Sequence, residues 1–472
     1  MTKQECAIKY ITENYLDYRR LRHDVIADKL QVRCAHNLGE EAKGDEASRQ
    51  EYWREMTKHD INSIVCHAAQ EYDANITSRE VMTALQSDLI PDVHPLREYI
   101  NALPRYTPDQ PDWIDFVAQQ VRVRESSADR PKGLSERTAC CQTTMLLDRP
   151  YGAERPTNLT GEADLTISEA HGLTSNSSQR ERSKADRLWR GCFKKWFVAM
   201  VASWMKDEVV NHQVLVLIGK QGIFKTTWLE HLIPPHLRAY ACKLANSNDL
   251  NKDERLRIAE FGLISLDEID SMNNRELNQL KSVITATDVN ERAAYAYTKE
   301  RRVRLASFCA SGNRRDFLTD ITGNRRWLPF EVESIQNPFY TILPYERMYA
   351  QAWALAQDPL FSYWFDLDEI EVLEQHNQYF RDESNEEQLL PILFDVPAEG
   401  RGEFMTTAQI SERLVTYGNI KKPMALSRLG MVLGTAGFKA RKRKIGNIQT
   451  RGWIVYQRDT DEISALRRIL KD

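Results

Sequence analysis

The sequence has no run of about 18 consecutive apolar residues, which is the length that a membrane-spanning helix needs. It has no C-x-x-C pair among its eight cysteines, and no histidine stands at zinc-ligand spacing from them, so we expect no zinc site. Scattered thiols in a chain of 472 residues are typical of a reducing cytoplasm rather than a disulfide scaffold. The first residues also lack the apolar core of a signal peptide. We therefore expect a cytoplasmic protein with no membrane partner.

An excess of one charge is missing as well, because 64 Lys and Arg stand against 68 Asp and Glu. The net charge of −4 does not by itself indicate a nucleic-acid partner. The charges are unevenly distributed, however. Residues 366–399 hold eleven acids and one arginine, whereas residues 401–472 hold fifteen basic residues and six acids. If the chain binds nucleic acid through a basic surface, the C-terminal segment is the first candidate.

Changes in composition along the chain predict five regions. Residues 1–125 are expected to form a mostly helical N-terminal domain. Residues 126–184 are rich in Ser, Thr, Gly and charge, which favours a flexible linker or insertion. Residues 185–340 alternate apolar strands with helical stretches, the pattern of an α/β core. Residues 341–400 are expected to form a helical and acidic connector, and residues 401–472 a basic C-terminal domain.

The N-terminal region carries two clear helix signals and one strand signal. Ile64 and Ala68 stand at helical spacing on an apolar face. Thr77 followed by Glu80 is an N-cap pattern that predicts the start of the next helix. The segment 7–33 alternates apolar and polar residues in places, as paired strands do.

The stretch VLVLIGKQGIFKTTWLEHL, which starts at residue 214, reads as a strand, a glycine loop and a helix. That order is the context of a phosphate-binding loop. Gly219 and Gly222 would let backbone N–H groups approach phosphate oxygens closely. Lys225 is expected to reach the β- and γ-phosphates, and Thr226 to offer its hydroxyl to Mg²⁺.

One residue departs from the usual pattern G-x-x-x-x-G-K-[ST]. Phe224 stands where that pattern has its second glycine, and Gly222 lies two places earlier. We expect the loop to work if residue 224 keeps ordinary helical backbone angles, which phenylalanine adopts at no cost. The alternative is a glycine turn before a helix with a solvated lysine.

Two further strands and a pair of arginines complete the candidate site. The strand in FGLISLDEID ends at Asp267, predicted to hold the Mg²⁺ and its water shell, and Glu268, predicted to polarise the attacking water. The strand in RLASFCASGN ends at Asn313, a candidate to orient that water or contact the γ-phosphate. In TGNRRW, either Arg325 or Arg326 would neutralise charge on the γ-phosphate across a subunit boundary. Exposed acids and a surface arginine pair are the alternatives.

This order of parts resembles the virulence-associated protein E family, which belongs to the superfamily 3 helicases within the AAA+ ATPases. The resemblance is strongest over residues 188–335. It implies a ring, expected to be a homo-hexamer, that hydrolyses ATP with Mg²⁺ between subunits and moves along single-stranded DNA. Relatives are carried by phages and integrative mobile elements, where they serve replication. Some have a primase domain upstream; residues 1–125 show no primase-like acidic triad, so any primase is expected to be a separate chain.

The resemblance also implies a DNA-contacting hairpin within TDVNERAAYAYTKERRVRLAS. Its basic tip makes Lys299 the first candidate for phosphate contact and Arg301 the second. An ordinary charged turn is the alternative.

The C-terminal region reads as helix, helix and basic hairpin, which resembles a winged helix. Arg441, Lys442, Arg443 and Lys444 are its candidates for contact with duplex DNA. Protein contact or a solvated basic face are the alternatives.

Together these features predict an α/β protein: a P-loop AAA+ core of the superfamily 3 type, a helical N-terminal region and a C-terminal winged helix. The predicted function is an ATP-dependent DNA helicase-type motor that supports replication of a phage or integrative mobile element. Two alternatives stay open. One is a DNA-binding regulator whose loop is a nucleotide switch, and the other is an AAA+ ATPase that remodels protein partners.

Overall fold

The computed structural model describes residues 1–37, 49–124, 183–244, 257–291, 300–318, 324–397, 402–445 and 448–469. Nearly all of the predicted linker at 126–184 therefore lies outside the described residues. The chain is mixed α/β with several sheets. Within the described ranges, every helix is too short or too polar to cross a membrane.

The N-terminal region combines helices with a four-stranded sheet in the order β3-β2-β1-β4. Its helices are α1 (Lys3–Ile11), α2 (Lys58–Glu71), α3 (Ser78–Leu85), α4 (Pro95–Ala102) and α5 (Trp113–Ala118). Its strands are β1 (Leu21–Asp24), β2 (Lys29–Asn37), β3 (Arg49–Glu55), β4 (Asp92–Val93) and β5 (Val121–Val123). A π-helical turn, Thr12–Leu16, follows α1.

The expectation of a mostly helical N-terminal domain is incomplete, because β1, β2 and β3 form an antiparallel meander. The strand signal over 7–33 holds only for its second half. Its first half belongs to the end of α1 and to the π-helical turn after it. A capping box between Thr2 and Glu5 starts α1, which buries Ala7 and Ile11 one turn apart. The predicted helices α2 and α3 are confirmed, and α3 begins directly after Thr77.

The central region is built on a six-stranded sheet in the order β5-β12-β6-β11-β8-β7. Its helices are α6 (Lys184–Met205), α7 (Lys225–His231), α8 (Asn274–Thr285), α9 (Tyr345–Gln357) and α10 (Leu367–Asn377). Its strands are β6 (Val214–Ile218), β7 (Ala241–Leu244), β8 (Leu263–Leu266), β9 (Asp288–Glu291), β10 (Glu300–Val303), β11 (Ser307–Gly312) and β12 (Trp327–Ile335). Short 3₁₀ turns are Pro235–Tyr240, Ile269–Ser271, Asn324–Arg326 and Gln378–Phe380.

Both faces of this sheet are covered, which explains why β6 is an unbroken apolar run rather than an alternating one. Leu215 and Leu217 point into a core shared with α6, whereas Val214 and Val216 point into a core shared with α8. Strands β12, β6, β11, β8 and β7 run parallel, and β5 is antiparallel to β12. Because β11 lies between β6 and β8, the loops that follow these three strands meet at one edge.

A buried arginine closes the C-terminal end of α8. The last carbonyls of a helix have no partner within the helix. Arg304 is fully buried and donates to the carbonyl oxygens of Val283, Ile284 and Ala286, and to that of Asn211 at 2.8 Å. Burial lowers the pKa of Arg304 to about 9. This side chain ties α8 to the start of the central sheet.

The C-terminal region has a core of its own. Its helices are α11 (Asn385–Leu393), α12 (Thr407–Gly418), α13 (Leu426–Thr435) and α14 (Thr460–Ile469). Its strands are β13 (Phe394–Asp395), β14 (Glu403–Thr406), β15 (Lys439–Ile445) and β16 (Ile448–Gln457). Strand β16 pairs antiparallel with β13, β14 and β15, and Trp453 on β16 packs against α12 and α13 residues such as Ile410 and Leu429.

The predicted connector at 341–400 is divided between two cores. Helices α9 and α10 bury Tyr349 and Leu373 in the core beneath the central sheet. Helix α11 buries Leu390 and Leu393 in the C-terminal core. The apolar faces of these helices pack against two different cores, and this divides the segment. The acidic composition of the segment does not reveal the division.

Candidate nucleotide-binding site

The loop after β6 needs glycine at two positions for backbone reasons. A Cβ atom at Gly219 would lie 2.7 Å from the carbonyl oxygen of Val332, because β12 passes directly beside the loop. The Gly219 N–H donates to the Gly312 carbonyl at 3.1 Å, which joins the loop to the end of β11. Gly222 has a φ of +84°, a left-handed conformation that favours glycine.

Phe224 also has a left-handed backbone, with φ 67° and ψ 19°. The expectation that residue 224 keeps ordinary helical angles is therefore wrong. The chain turns from the loop into α7 through a conformation in which glycine is free of strain, and phenylalanine holds the same conformation at a cost of about 1–2 kcal/mol. Its ring contacts that of Phe339, with centroids 6.4 Å apart. Strain of this kind is concentrated at functional sites.

Lys225, the first residue of α7, is buried within the loop. Its Nζ donates to the carbonyl oxygens of Gly219 at 2.8 Å and Lys220 at 2.7 Å, and to Asn313 Oδ1 at 3.3 Å. Burial lowers the pKa of Lys225, and the nearby carboxylates of Asp270 and Asp267 oppose that shift. The structure thus brings together Lys225 and Asn313, two residues predicted for the same site.

Thr226 and Asp267 also meet, and a third residue that sequence reasoning missed, Ser311, joins them. Thr226 Oγ1 and Ser311 Oγ both donate to Asp267 Oδ1, at 3.1 and 2.6 Å, and the two hydroxyls lie 2.9 Å apart. Three hard oxygen atoms in one place are the type of ligand that Mg²⁺ prefers. Among the described residues, no group of three or more His, Cys, Asp or Glu is placed to hold a metal ion. Any Mg²⁺ here would therefore depend on hydroxyl groups as well as on Asp267.

A lysine on the edge strand balances the Asp267 carboxylate. Lys243 on β7 places its Nζ 2.8 Å from Asp267 Oδ2. Burial raises the pKa of Asp267, but the hydrogen bonds from Lys243, Ser311 and Thr226 outweigh it, and the pKa lies below its ordinary value. Asp267 is therefore held in its ionised form, with the Lys243 ammonium beside it.

The acids after Asp267 have distinct surroundings. Glu268 is exposed and has a left-handed backbone with φ 53°. Asp270 accepts hydrogen bonds from the backbone N–H groups of Asn313 and Arg314, both at 3.1 Å. Asp270, the last residue of DEID, was not predicted from the sequence. Its contacts hold the loop after β11 against the loop after β8.

Arg325 and Arg326 lie away from the other candidates. They precede β12, whose first residue Trp327 pairs in register with Val214, the first residue of β6. The glycine loop follows the opposite end of β6. Five strand residues at about 3.3 Å each place the arginines roughly 16 Å from the loop. Burial lowers the pKa of His212, which lies at the same amino-terminal edge of the sheet, and the charges of Arg325 and Arg326 add to that shift.

Of the two candidate DNA contacts in the predicted hairpin, Arg301 is among the described residues. Lys299 lies outside the described residues. Arg301 on β10 is exposed and donates from Nε to Asp288 Oδ2 on the paired strand β9, at 2.7 Å. Its neighbour Arg302 reaches Asp28 of the N-terminal region at 2.8 Å, so the β9–β10 pair is tied to that region.

The four basic residues predicted near the C-terminus lie on β15 and are all exposed: Arg441, Lys442, Arg443 and Lys444. Successive strand residues point to opposite faces, so the cluster is divided between two faces of the hairpin. Lys442 pairs in register with Arg451, whose guanidinium lies 5.8 Å from the Trp453 ring. No acid within the described parts of the chain forms an ion pair with these four residues.

Residues 174–387 match the sequence model of the virulence-associated protein E-like domain. The match supports the virulence-associated protein E family. It spans the phosphate loop, both loops that face it and the arginine pair, and it ends before the C-terminal basic hairpin.

Three solved structures are similar over most of the chain. The apo structure of the NrS-1 C terminal region (305-718) is 10% identical, with 96% of this chain and 100% of that chain covered and a TM-score of 0.40. An A form apo structure of the NrS-1 C terminal region-CTR is 11% identical, with coverages of 93% and 98% and a TM-score of 0.39. A further A form, CTR(305-718), is 10% identical, with coverages of 96% and 99% and a TM-score of 0.37. No curated protein matches the chain.

Proposed function

We propose that this chain is an ATP-dependent DNA helicase-type motor of superfamily 3, with a P-loop AAA+ core, that supports replication of a phage or integrative mobile element. The observation that carries the proposal is the meeting of Lys225, Thr226, Asp267 and Asn313 where β6, β8 and β11 end. A phosphate-loop lysine and hydroxyl facing a carboxylate and an amide on neighbouring strands is an arrangement that suits a nucleoside triphosphate.

In the proposed site the loop binds the phosphates and the strand ends position the reaction. The Lys225 ammonium exchanges its bonds to two loop carbonyls for bonds to phosphate oxygens, which are stronger because both partners are charged. Thr226 and Asp267 would hold Mg²⁺, with Ser311 orienting both; when bound, the ion neutralises charge on the phosphates. Glu268, exposed beside them, accepts a proton from the attacking water, and Asn313 orients that water.

The position of Arg325 and Arg326 supports a ring. At the amino-terminal edge of the sheet they are too far from the loop of their own chain to contact its γ-phosphate. A neighbouring copy in a head-to-tail ring, for which we propose a homo-hexamer, presents this edge to the next phosphate loop. One of the two arginines then neutralises the charge that develops on the γ-phosphate.

The C-terminal region supports a DNA partner. We propose that this region is a winged helix that binds duplex DNA; the order helix, strand, helix, helix and hairpin, with the sheet order β14-β16-β15, supports the proposal. Exposed Arg441, Lys442, Arg443 and Lys444 supply the positive charge for phosphate contact. Arg301 and Lys299 are proposed to grip single-stranded DNA in the pore of the ring, and a primase is proposed to be a separate chain.

Steady-state ATP hydrolysis, with and without single-stranded DNA, tests the proposal. Turnover should depend on Mg²⁺, rise with DNA and vanish in Lys225→Ala. Glu268→Gln should still bind ATP but lose at least about 100-fold in turnover, the contribution of a general base. Lys58→Ala, which removes an exposed lysine of α2, is the matched control and should behave as wild type.

The other outcomes separate the alternatives. DNA binding without any ATP turnover would support a regulator with a nucleotide switch. Turnover that is indifferent to DNA would support a remodeller of protein partners. Turnover that survives Lys225→Ala would show that the loop is not the site.

A further inference from the structure

Three aromatic side chains meet beside the phosphate loop. The Phe339 ring lies with its centroid 6.4 Å from the Phe224 ring and 5.5 Å from the His231 ring. Phe224 directly precedes Lys225, and His231 is the last residue of the helix that Lys225 begins. The Phe339 ring therefore contacts the residue before α7 and the last residue of α7, so it lies alongside this short helix.

Phe339 is exposed although its ring contacts two other rings. Its side chain keeps 68% of its surface open to solvent despite its two ring contacts. Its backbone N–H donates to Asn337 Oδ1 at 3.0 Å, and the following N–H, of Tyr340, donates to the Asn337 carbonyl at 3.1 Å. His231 is held as well, because its Nδ1 lies 2.7 Å from the Thr227 carbonyl oxygen. A large apolar ring that is held at one side by neighbouring rings and left open at the other is typical of a binding surface.

The path of the chain places this ring at the end of the sheet where the glycine loop lies. Strand β12 passes so close to the loop that a Cβ at Gly219 would touch the Val332 carbonyl. The segment that carries Phe339 follows this strand directly. A base joined to phosphates on the loop would lie close by, and Phe339, which contacts Phe224 at the end of the loop, offers it an exposed apolar ring.

We propose that Phe339 is the surface on which the base of the bound nucleotide stacks, with Phe224 and His231 bracing its ring. The inference rests on the proposed nucleotide function and deepens it. It also assigns a second role to Phe224: the side chain that replaces the usual glycine supports the base subsite.

Stacking determines which nucleotides the subsite accepts. Every base has a π-face, so stacking discriminates by area rather than by hydrogen-bonding pattern. Purine triphosphates should therefore bind more tightly than pyrimidine triphosphates. Inorganic tripolyphosphate, which has no base, should be indifferent to Phe339.

Calorimetric titration of the full chain with ATP, CTP and tripolyphosphate, in the presence of Mg²⁺, tests the subsite. Phe339→Ala should weaken ATP binding by roughly tenfold, since a base–aromatic stack contributes on that order. It should also narrow the ATP-to-CTP ratio and leave tripolyphosphate unchanged. Phe339→Trp should bind ATP about as tightly as the wild type, because it keeps an aromatic ring for stacking. Leu360→Ala, which truncates another side chain that is 76% exposed, is the control and should bind all three as wild type does.

Two results would overturn the subsite alone. One is an equal loss of affinity for ATP and tripolyphosphate in Phe339→Ala, and the other is an unchanged affinity for ATP in that variant. If the unchanged affinity came with a smaller assembly on a sizing column, Phe339 would instead contact a second copy of the chain. Wild-type protein that binds neither ATP nor tripolyphosphate would instead overturn the proposed function, and the subsite with it.

Discussion

The left-handed backbone at Phe224 leads to a quantitative prediction about which small residue the loop prefers. A non-glycine residue in this conformation costs about 1–2 kcal/mol. Phe224→Gly removes that cost but adds about 0.5–1 kcal/mol, because glycine loses more backbone freedom on folding. Phe224→Ala keeps the strain. Both variants lose the ring contact with Phe339, so that contribution cancels between them.

We therefore expect Phe224→Gly to be more stable than Phe224→Ala by about 0.75 kcal/mol, the difference between the middles of the two ranges. Urea unfolding followed by tryptophan fluorescence measures the difference, because Trp228 is buried on α7 four residues after the loop. The sign matters more than the size. In an ordinary helix alanine is favoured over glycine by about 1 kcal/mol.

Glu371 supplies the matched control. It is exposed in the middle of α10. Glu371→Gly should be less stable than Glu371→Ala, the reverse of the order at residue 224. If alanine is also the better residue at position 224, the left-handed conformation and its strain are refuted. The glycine variant should still turn over saturating ATP, since it restores the usual loop pattern, although Phe339 loses its contact with the Phe224 ring.

Three further predictions concern other parts of the chain. Of Arg325→Ala and Arg326→Ala, one should bind ATP and fail to hydrolyse it, and mixing it with Lys225→Ala should restore turnover; failure of every mixture would contradict a shared site. Burial lowers the pKa of His94 to about 4, while its Nδ1 accepts from the Arg97 N–H at the start of α4. As the pH falls, the unfolded chain therefore binds a proton at His94 before the folded chain does. The melting temperature should fall as the pH drops from about 6.5 to about 4. That dependence should shrink in His94→Asn, which keeps a capping side chain, and an unchanged pH profile would exclude His94 as its source. Arg441→Ala with Lys442→Ala should weaken duplex binding and flatten its logarithmic salt dependence by about 2, whereas binding that does not change would exclude the hairpin from DNA contact.

The order of the parts was determined by the sequence alone. The apolar run of β6, the glycine loop and the start of α7 are consecutive, so local pattern is enough to predict them. Asp267 and Asn313 can be predicted for the same reason, since each directly follows an apolar strand. The capping pattern at Thr77 and the basic C-terminal hairpin are likewise local features.

Contacts between distant segments were decided only by the tertiary structure. Ser311 meets Asp267 because β11 lies between β6 and β8, and strand order is not written in any local pattern. Lys243 reaches the same carboxylate from the next strand along the sheet. The placement of Arg325 and Arg326 at the opposite edge follows from the register of β12 against β6.

The backbone of Phe224 was also decided at this level. Its side chain alone favours ordinary angles, and a local prediction follows that preference. The surrounding structure imposes the left-handed turn, because the loop must meet Val332 on one side and begin α7 on the other. A sequence reports what each residue prefers; the packed sheet determines where that preference is overruled.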